Sequence, residues 1–208
     1  MKLFLASQAR DPESLTKLKD FVGGLEGKTI AYIPTAANGE EPYGAWKTDS
    51  ETWEIINTLG AKVTPFVLED YKNSSVLPEL KGKDILWFAG GMCGYLMYWI
   101  RRCEIDKHIR ELLDARSVYV GSSAGSMITS KTLDLAEWDL LDAEVGASVI
   151  PGLGLVDFQI YPHFEDELRS EIEKRWQKGT LYLLKNGEVI TVVEGKIEVL
   201  GEERIIKK

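Results

Sequence analysis

Gly121-Ser122-Ser123-Ala124-Gly125 spells G-x-S-x-G and follows a β-rich run, Ser117 to Val120. This is the context of a nucleophile elbow. Small neighbours permit the sharp turn that lifts Oγ of Ser123 clear of a sheet. The N–H of Ala124, opening the next helix, can then face a developing oxyanion. The same residues also describe a glycine-rich turn with a structural serine, or one that cradles a phosphate. A serine nucleophile needs a base, usually histidine, and the chain has two. His108 lies in a charged helical run, Asp106 to Glu111, and reads as a solvated surface residue. His163 follows an apolar run in Tyr161-Pro162-His163-Phe164. If that run is a strand parallel to the one before Ser123, both residues face the crevice where open α/β sheets bind ligands. Ala89-Gly90-Gly91-Met92-Cys93-Gly94 follows another buried run, and its glycines allow backbone N–H groups to approach a ligand closely. Cys93 has no partner histidine of its own and reads as a small apolar residue.

These residues need elements to position them. Strand-like runs alternate with helical stretches, the signature of an α/β fold with a mainly parallel sheet. Strands are expected at Lys2–Leu5, Thr29–Ile33, within Ala61–Val67, at Ile85–Phe88, Ser117–Val120 and Val156–Tyr161. Helices are expected from Asp11-Pro12-Glu13, where an N-cap precedes Pro at the first helical position, over Tyr43–Leu59, Gly94–Arg102, Ile105–Ala115 and Glu165–Lys178. The acid-rich stretch from Lys131 to Ile150 carries no clear period. Thr180–Leu184, Glu188–Val193 and Lys196–Leu200 read as a β meander, with Asn186-Gly187 as a type I′ hairpin signal. The expected architecture is a three-layer α/β sandwich, helices on both faces of a mainly parallel sheet, with a small C-terminal β meander. Residues 1–208 read as one domain.

A net charge of −8 argues against nucleic-acid binding and against a polybasic membrane surface, both of which need basic patches. The apolar run at the N-terminus is too short for a signal peptide, since Gln8, Arg10 and Asp11 follow at once. No stretch approaches the ~20 apolar residues of a bilayer span, so a cytoplasmic location is expected. If Cys93 and Cys103 share a helix they stand about 15 Å apart, beyond disulfide reach. No C-x-x-C pair suggests a metal site.

The runs Tyr119-Val120-Gly121-Ser122-Ser123-Ala124-Gly125, Phe158-Gln159-Ile160-Tyr161-Pro162-His163-Phe164, Ala89-Gly90-Gly91 and Tyr32-Ile33-Pro34-Thr35-Ala36 together resemble the peptidase E family of serine dipeptidases, cyanophycinases included. The family fold is similar to class I glutamine amidotransferases. The resemblance implies Ser123 as nucleophile, His163 as base, and the N–H groups of Gly91 and Ala124 as oxyanion hole. A short peptide substrate, no cofactor and no metal, and a monomer or homodimer are expected.

Three positions depart from the family pattern. Met92 stands where asparagine is common. Asn186 stands where the family places an acid as third triad member. Glu188, Asp157, Asp134, Glu137 and Asp139 are the alternative acids. Peptidase E selects N-terminal aspartate through an arginine after the histidine. Arg169 is the candidate here, and an ion pair with Glu165 or Glu173 on the helix surface is the better explanation of it. The expected activity is hydrolysis of short peptides through an acyl-enzyme. A small-ester hydrolase, and a binding or regulatory module with a decayed site, are the competing readings.

Overall fold

The computed structural model describes residues 1–48, 50–114, 116–141 and 143–208. Strand and helix alternate from the start: β1 (Lys2–Ala6), α1 (Pro12–Val22), β2 (Thr29–Ile33), α2 (Ala45–Thr48), α3 (Glu51–Ile56), β3 (Lys62–Pro65), α4 (Leu77–Leu80) and β4 (Ile85–Phe88). Then come α5 (Cys93–Arg102), α6 (Ile105–Asp114), β5 (Val118–Ser122), α7 (Ala124–Met127), β6 (Phe158–Tyr161) and α8 (Arg169–Arg175). The chain finishes with β7 (Thr180–Leu183), β8 (Val189–Val193), β9 (Lys196–Leu200) and β10 (Ile205–Lys207).

The main sheet runs β3-β2-β4-β5-β1-β8-β9. From β3 to β1 every pairing is parallel, whereas β8 and β9 are antiparallel additions. Successive side chains leave opposite faces, as a strand requires. Leu3, Leu5, Leu86, Phe88 and Tyr119 pack under α5, α6 and α7, while Phe4, Tyr32, Trp87 and Val120 pack under α1, α2 and α3. The result is the three-layer α/β arrangement, with helices on both faces. Register aligns Leu5 with Gly121 and Phe88 with Gly121. The segments leaving β1, β4 and β5 therefore emerge side by side at one sheet edge. Among the described residues, no helix is long and apolar enough to cross a membrane.

Five expectations need correction. The helix expected over Tyr43–Leu59 is two short helices, and Asp49 between them lies outside the described residues. Ser50 starts the second, its Oγ accepting from the Trp53 N–H at 3.3 Å. That helix ends at Ile56 because Asn57 Nδ2 and Thr58 Oγ donate back to the carbonyls of Trp53 and Ile55, a local competition with the helix ladder. The helix expected over Glu165–Lys178 is shorter, Arg169–Arg175 preceded by a 3₁₀ turn. The expected end of α6 at Ala115 falls outside the described residues.

The C-terminal strands are divided between two sheets. β8 and β9 form a hairpin on the main sheet, while β7 joins β6 and β10 in a separate one. The turn between β7 and β8 is accordingly not type I′. Asn186 lacks the positive φ that type I′ demands, Gly187 has φ +85°, and the Glu188 N–H donates to the Lys185 carbonyl at 3.1 Å. That is the type II pattern, which does not match the twist of paired hairpin strands. Finally, β6 is parallel to β7 and not a member of the sheet that contains β5.

Candidate active site

Ser123 stands between β5 and α7, as the N-cap of the helix, with φ 49°, ψ −112°, a sparsely populated conformation for a residue with a Cβ. Close packing holds it there. A Cβ on Gly121 would lie 2.6 Å from the Gly125 carbonyl oxygen, and a Cβ on Gly125 only 2.2 Å from that of Phe88. Only glycine lets α7 sit this close to the sheet. The Ser123 N–H donates to the Ser7 carbonyl at 3.0 Å, and Ser126 Oγ donates to the Ala6 carbonyl at 2.7 Å. The turn at Ser123 is thus tied to the end of β1.

His163 follows β6 with φ 54°. The Phe164 N–H donates to the Leu184 carbonyl, and the Leu184 N–H to that of Tyr161, both at 2.9 Å. These bonds clamp the Pro162-His163 turn beside the end of β7, which leads directly into Asn186. The pairing of Tyr161 with Leu183 therefore places His163 next to Asn186. His163 Nε2 stands 2.9 Å from Ser123 Oγ, and Nδ1 stands 2.8 Å from Asn186 Oδ1. Ser123 and His163 are half-buried; Asn186 is exposed, with Oδ1 turned inward to the ring. A hydroxyl, an imidazole and an amide oxygen in this line can pass a proton from Ser123 to His163 while Asn186 holds the ring.

The model of peptidase family S51 matches residues 3–200. The chain belongs to peptidase family S51. This S51 peptidase is 29% identical over 196 residues to an uncharacterized peptidase of Listeria monocytogenes, covering 91% of the chain and 93% of that relative. An uncharacterized peptidase of Listeria innocua is 30% identical over 203 residues, 94% of each chain. Among solved structures, a candidate peptidase E from Listeria monocytogenes superposes with TM-score 0.79 at 26% identity, covering 95% of this chain and 96% of that one. A peptidase from an acI-B1 actinobacterium shares the fold, with TM-score 0.70 at 18% identity over 99% and 93% of the two chains. The S51 enzyme is a serine peptidase, a hydrolase.

The loop after β4 lies against the Ser123 turn: a Cβ on Gly90 would come within 3.3 Å of Ser123 Cβ. Gly91 has φ +129°, and a Cβ there would meet the Ala36 carbonyl oxygen at 2.2 Å. Both facts demand glycine. Among the described residues, the Gly91 N–H has no backbone acceptor, whereas the Met92 N–H donates to Ala36. Ala124 is the first residue of α7. A cleft of about 1110 Å³ opens over Gly91, Ser122, Ser123 and His163.

The other candidates lie elsewhere. Asp157 pairs with Lys131, Asp139 with Arg175, and Glu137 accepts from Ser148. Asp134 accepts from Thr132 and Gln159. Arg169 pairs with Glu173 at 2.9 Å and does not line the cleft. His108 sits on α6 beside Glu111. Burial pushes the Cys93 thiol well up, with Glu144 and Glu40 adding to the effect, so it is a thiol and not a thiolate. Among the described residues, no group of three or more His, Cys, Asp or Glu could hold a metal ion.

Glu188 is occupied in holding the Asn186 turn. It accepts from the Lys185 N–H and pairs with Arg204 at 2.7 Å, the two side chains being 12% and 5% exposed. Burial pushes its carboxyl up, and hydrogen bonds from Arg204 and from the backbone of Glu202 and Lys185 more than reverse that, leaving it below the ordinary value. Arg204→Ala should therefore cost about 1.5–3 kcal/mol, since it takes the charge-assisted hydrogen bonds from a half-buried carboxylate. In denaturant melts, the stability that Glu188 contributes should be full above the unfolded glutamate pKa near ~4.3 and fade as pH falls through its lower folded value. A loss under about 1 kcal/mol would show that the pair is hydrated and dispensable.

Sequence reasoning missed two site residues. Ser7 bonds with both His163 and Asn186. Glu144 caps α5, accepting from the Gly94 and Tyr95 N–H groups at 2.8 and 2.9 Å. Neither belongs to a motif, although Glu144 lies in the acid-rich stretch whose role was unassigned.

Proposed function

We propose that Ser123 is the nucleophile, His163 its general base and Asn186 the group that orients the ring, in an enzyme that cleaves short peptides through an acyl-enzyme. The observation that carries this reading is the unbroken Ser123–His163–Asn186 hydrogen-bond line at a strained elbow on a cleft. His163 Nε2 takes the proton of Ser123 Oγ as oxygen attacks the scissile carbonyl. The N–H groups of Gly91 and Ala124 receive the oxyanion. His163 then gives its proton to the leaving amine, and water releases the acyl group by the same steps in reverse.

The charge of the cleft bears on the substrate. Among its described lining residues are four glutamates, Glu40, Glu41, Glu51 and Glu144, against one arginine, Arg10, which Glu51 pairs at 3.0 Å. This potential favours the cationic amine of a peptide and a neutral or basic first side chain over aspartate. A panel of dipeptides differing only in the first residue should give kcat/KM for Lys-X about tenfold or more above Asp-X. A preference for Asp-X would assign Arg10 to the substrate carboxylate and overturn the charge argument. Labelling of Ser123 by a serine-directed phosphonate, blocked by cleaved peptide, tests the reaction itself. Turnover of small esters with no peptide cleavage would favour an esterase.

A further inference from the structure

Ser7 touches all three members of the proposed relay. It directly follows β1 and is fully buried. Its carbonyl accepts from the Ser123 N–H at 3.0 Å, its hydroxyl oxygen accepts from the His163 N–H at 2.7 Å, and its O–H donates to Asn186 Oδ1 at 3.2 Å. We infer that Ser7 is a positioning residue: it decides which end of the Asn186 amide faces His163, and through that which ring nitrogen carries the proton. The inference rests on the reading of Ser123, His163 and Asn186 as the reacting line.

An amide has two ends of nearly equal shape, one accepting and one donating. With Oδ1 toward His163 Nδ1, that nitrogen must carry hydrogen, and Nε2 offers its lone pair to the Ser123 hydroxyl. With the NH₂ end toward the ring, Nδ1 must accept and the proton sits on Nε2, where it blocks removal of the serine proton. A carboxylate has no wrong end, so a His–Asp pair needs no such control. Asn186 does. The Ser7 oxygen already receives the His163 N–H, so its own O–H needs an acceptor, and Oδ1 supplies it. Turning the amide over would take that acceptor from a hydroxyl shut off from water. A bias of about tenfold or more is the scale of one buried hydrogen bond.

The test is the ¹⁵N spectrum of the histidine rings at a pH where they are neutral, combined with kinetics. The chain has two histidines, and surface His108 serves as internal reference. In the unsubstituted protein His163 should be the Nδ1–H tautomer. Ser7→Ala should raise the Nε2–H share and lower kcat about ten- to a hundredfold with KM little changed. Ser7→Cys, of similar size but a weaker donor, should fall between. In an Asn186→Asp background the Ser7→Ala loss should shrink to under about threefold, because the coupling between the two sites is gone. An Nε2–H ring in the unsubstituted protein, a tautomer unmoved in both Ser7 variants, or an equal loss in both backgrounds would overturn the inference and leave Ser7 a packing residue. If Ser7→Ala fails to fold, the unsubstituted and Ser7→Cys spectra decide. The ring spectrum needs no substrate, so a tautomer shift without any peptide cleavage supports the role of Ser7 while removing the proposed peptidase line.

Discussion

Ser123→Ala is expected to lower kcat toward a cleaved peptide by about 10⁴–10⁶-fold, the range found when a serine nucleophile is removed from a working relay. The fold should be untouched, with Tm within about 2 °C, because a half-buried hydroxyl on an elbow contributes little to packing. Ser123→Gly separates the two halves of this claim more sharply. Ser123 holds φ 49°, ψ −112°, and strain of this kind costs about 1–3 kcal/mol. Glycine tolerates positive φ without a Cβ penalty, although it adds unfolded-state entropy of opposite sign. Ser123→Gly should therefore be as inactive as Ser123→Ala and yet melt about 2–4 °C higher than it, for a net gain near 1 kcal/mol. Calorimetry and single-turnover kinetics on the two variants check both statements. If both variants keep substantial turnover, the attack comes from another group. If Ser123→Gly melts lower than Ser123→Ala, the backbone at the elbow is relaxed, and its geometry follows from packing alone.

The parts of this fold legible in the sequence are those decided by local patterns. The strand before Gly121 and the helix after Ser123 follow from hydrophobic runs broken by small residues. The crowding of Gly121 and Gly125 against backbone carbonyls explains why the motif has that spacing. Chemistry singles out His163 as the candidate base, since the other histidine lies in a charged helical run. What stayed hidden depends on long-range pairing. Placing β6 beside β7 and not beside β5 is decided by packing that no local period reports. Asn186-Gly187 carries the same two residues whether its flanking strands pair or part. Ser7 is separated from His163 by 156 residues and from Asn186 by 179. Only the alignment of β1 with β5, and the return of β7 toward the same edge, brings it to them. Glu188, an acid in the right turn, is drawn away by Arg204, which lies beyond the last motif.

The second large effect concerns Asn186. Asn186→Ala should lower kcat by about 10²–10⁴-fold, the scale expected when a catalytic histidine loses the group that fixes its tautomer. The turn should survive. Gly187, not Asn186, carries the positive φ, and Glu188 with Arg204 holds the loop from the other side. Asn186→Asp preserves shape and adds charge. A carboxylate 2.8 Å from Nδ1, where Oδ1 now stands, favours the imidazolium over the neutral ring. Catalysis needs the neutral ring as base, so the acid limb of the kcat/KM profile should move to higher pH. Above that limb the added charge also stabilises the imidazolium formed during attack, so the plateau rate should rise. The shift and the rise share one cause and should appear together. An alanine variant with full activity would remove Asn186 from the relay. An aspartate variant with an unmoved acid limb would show that a charge at residue 186 does not reach the ring, and that the oxygen beside Nδ1 acts by geometry alone.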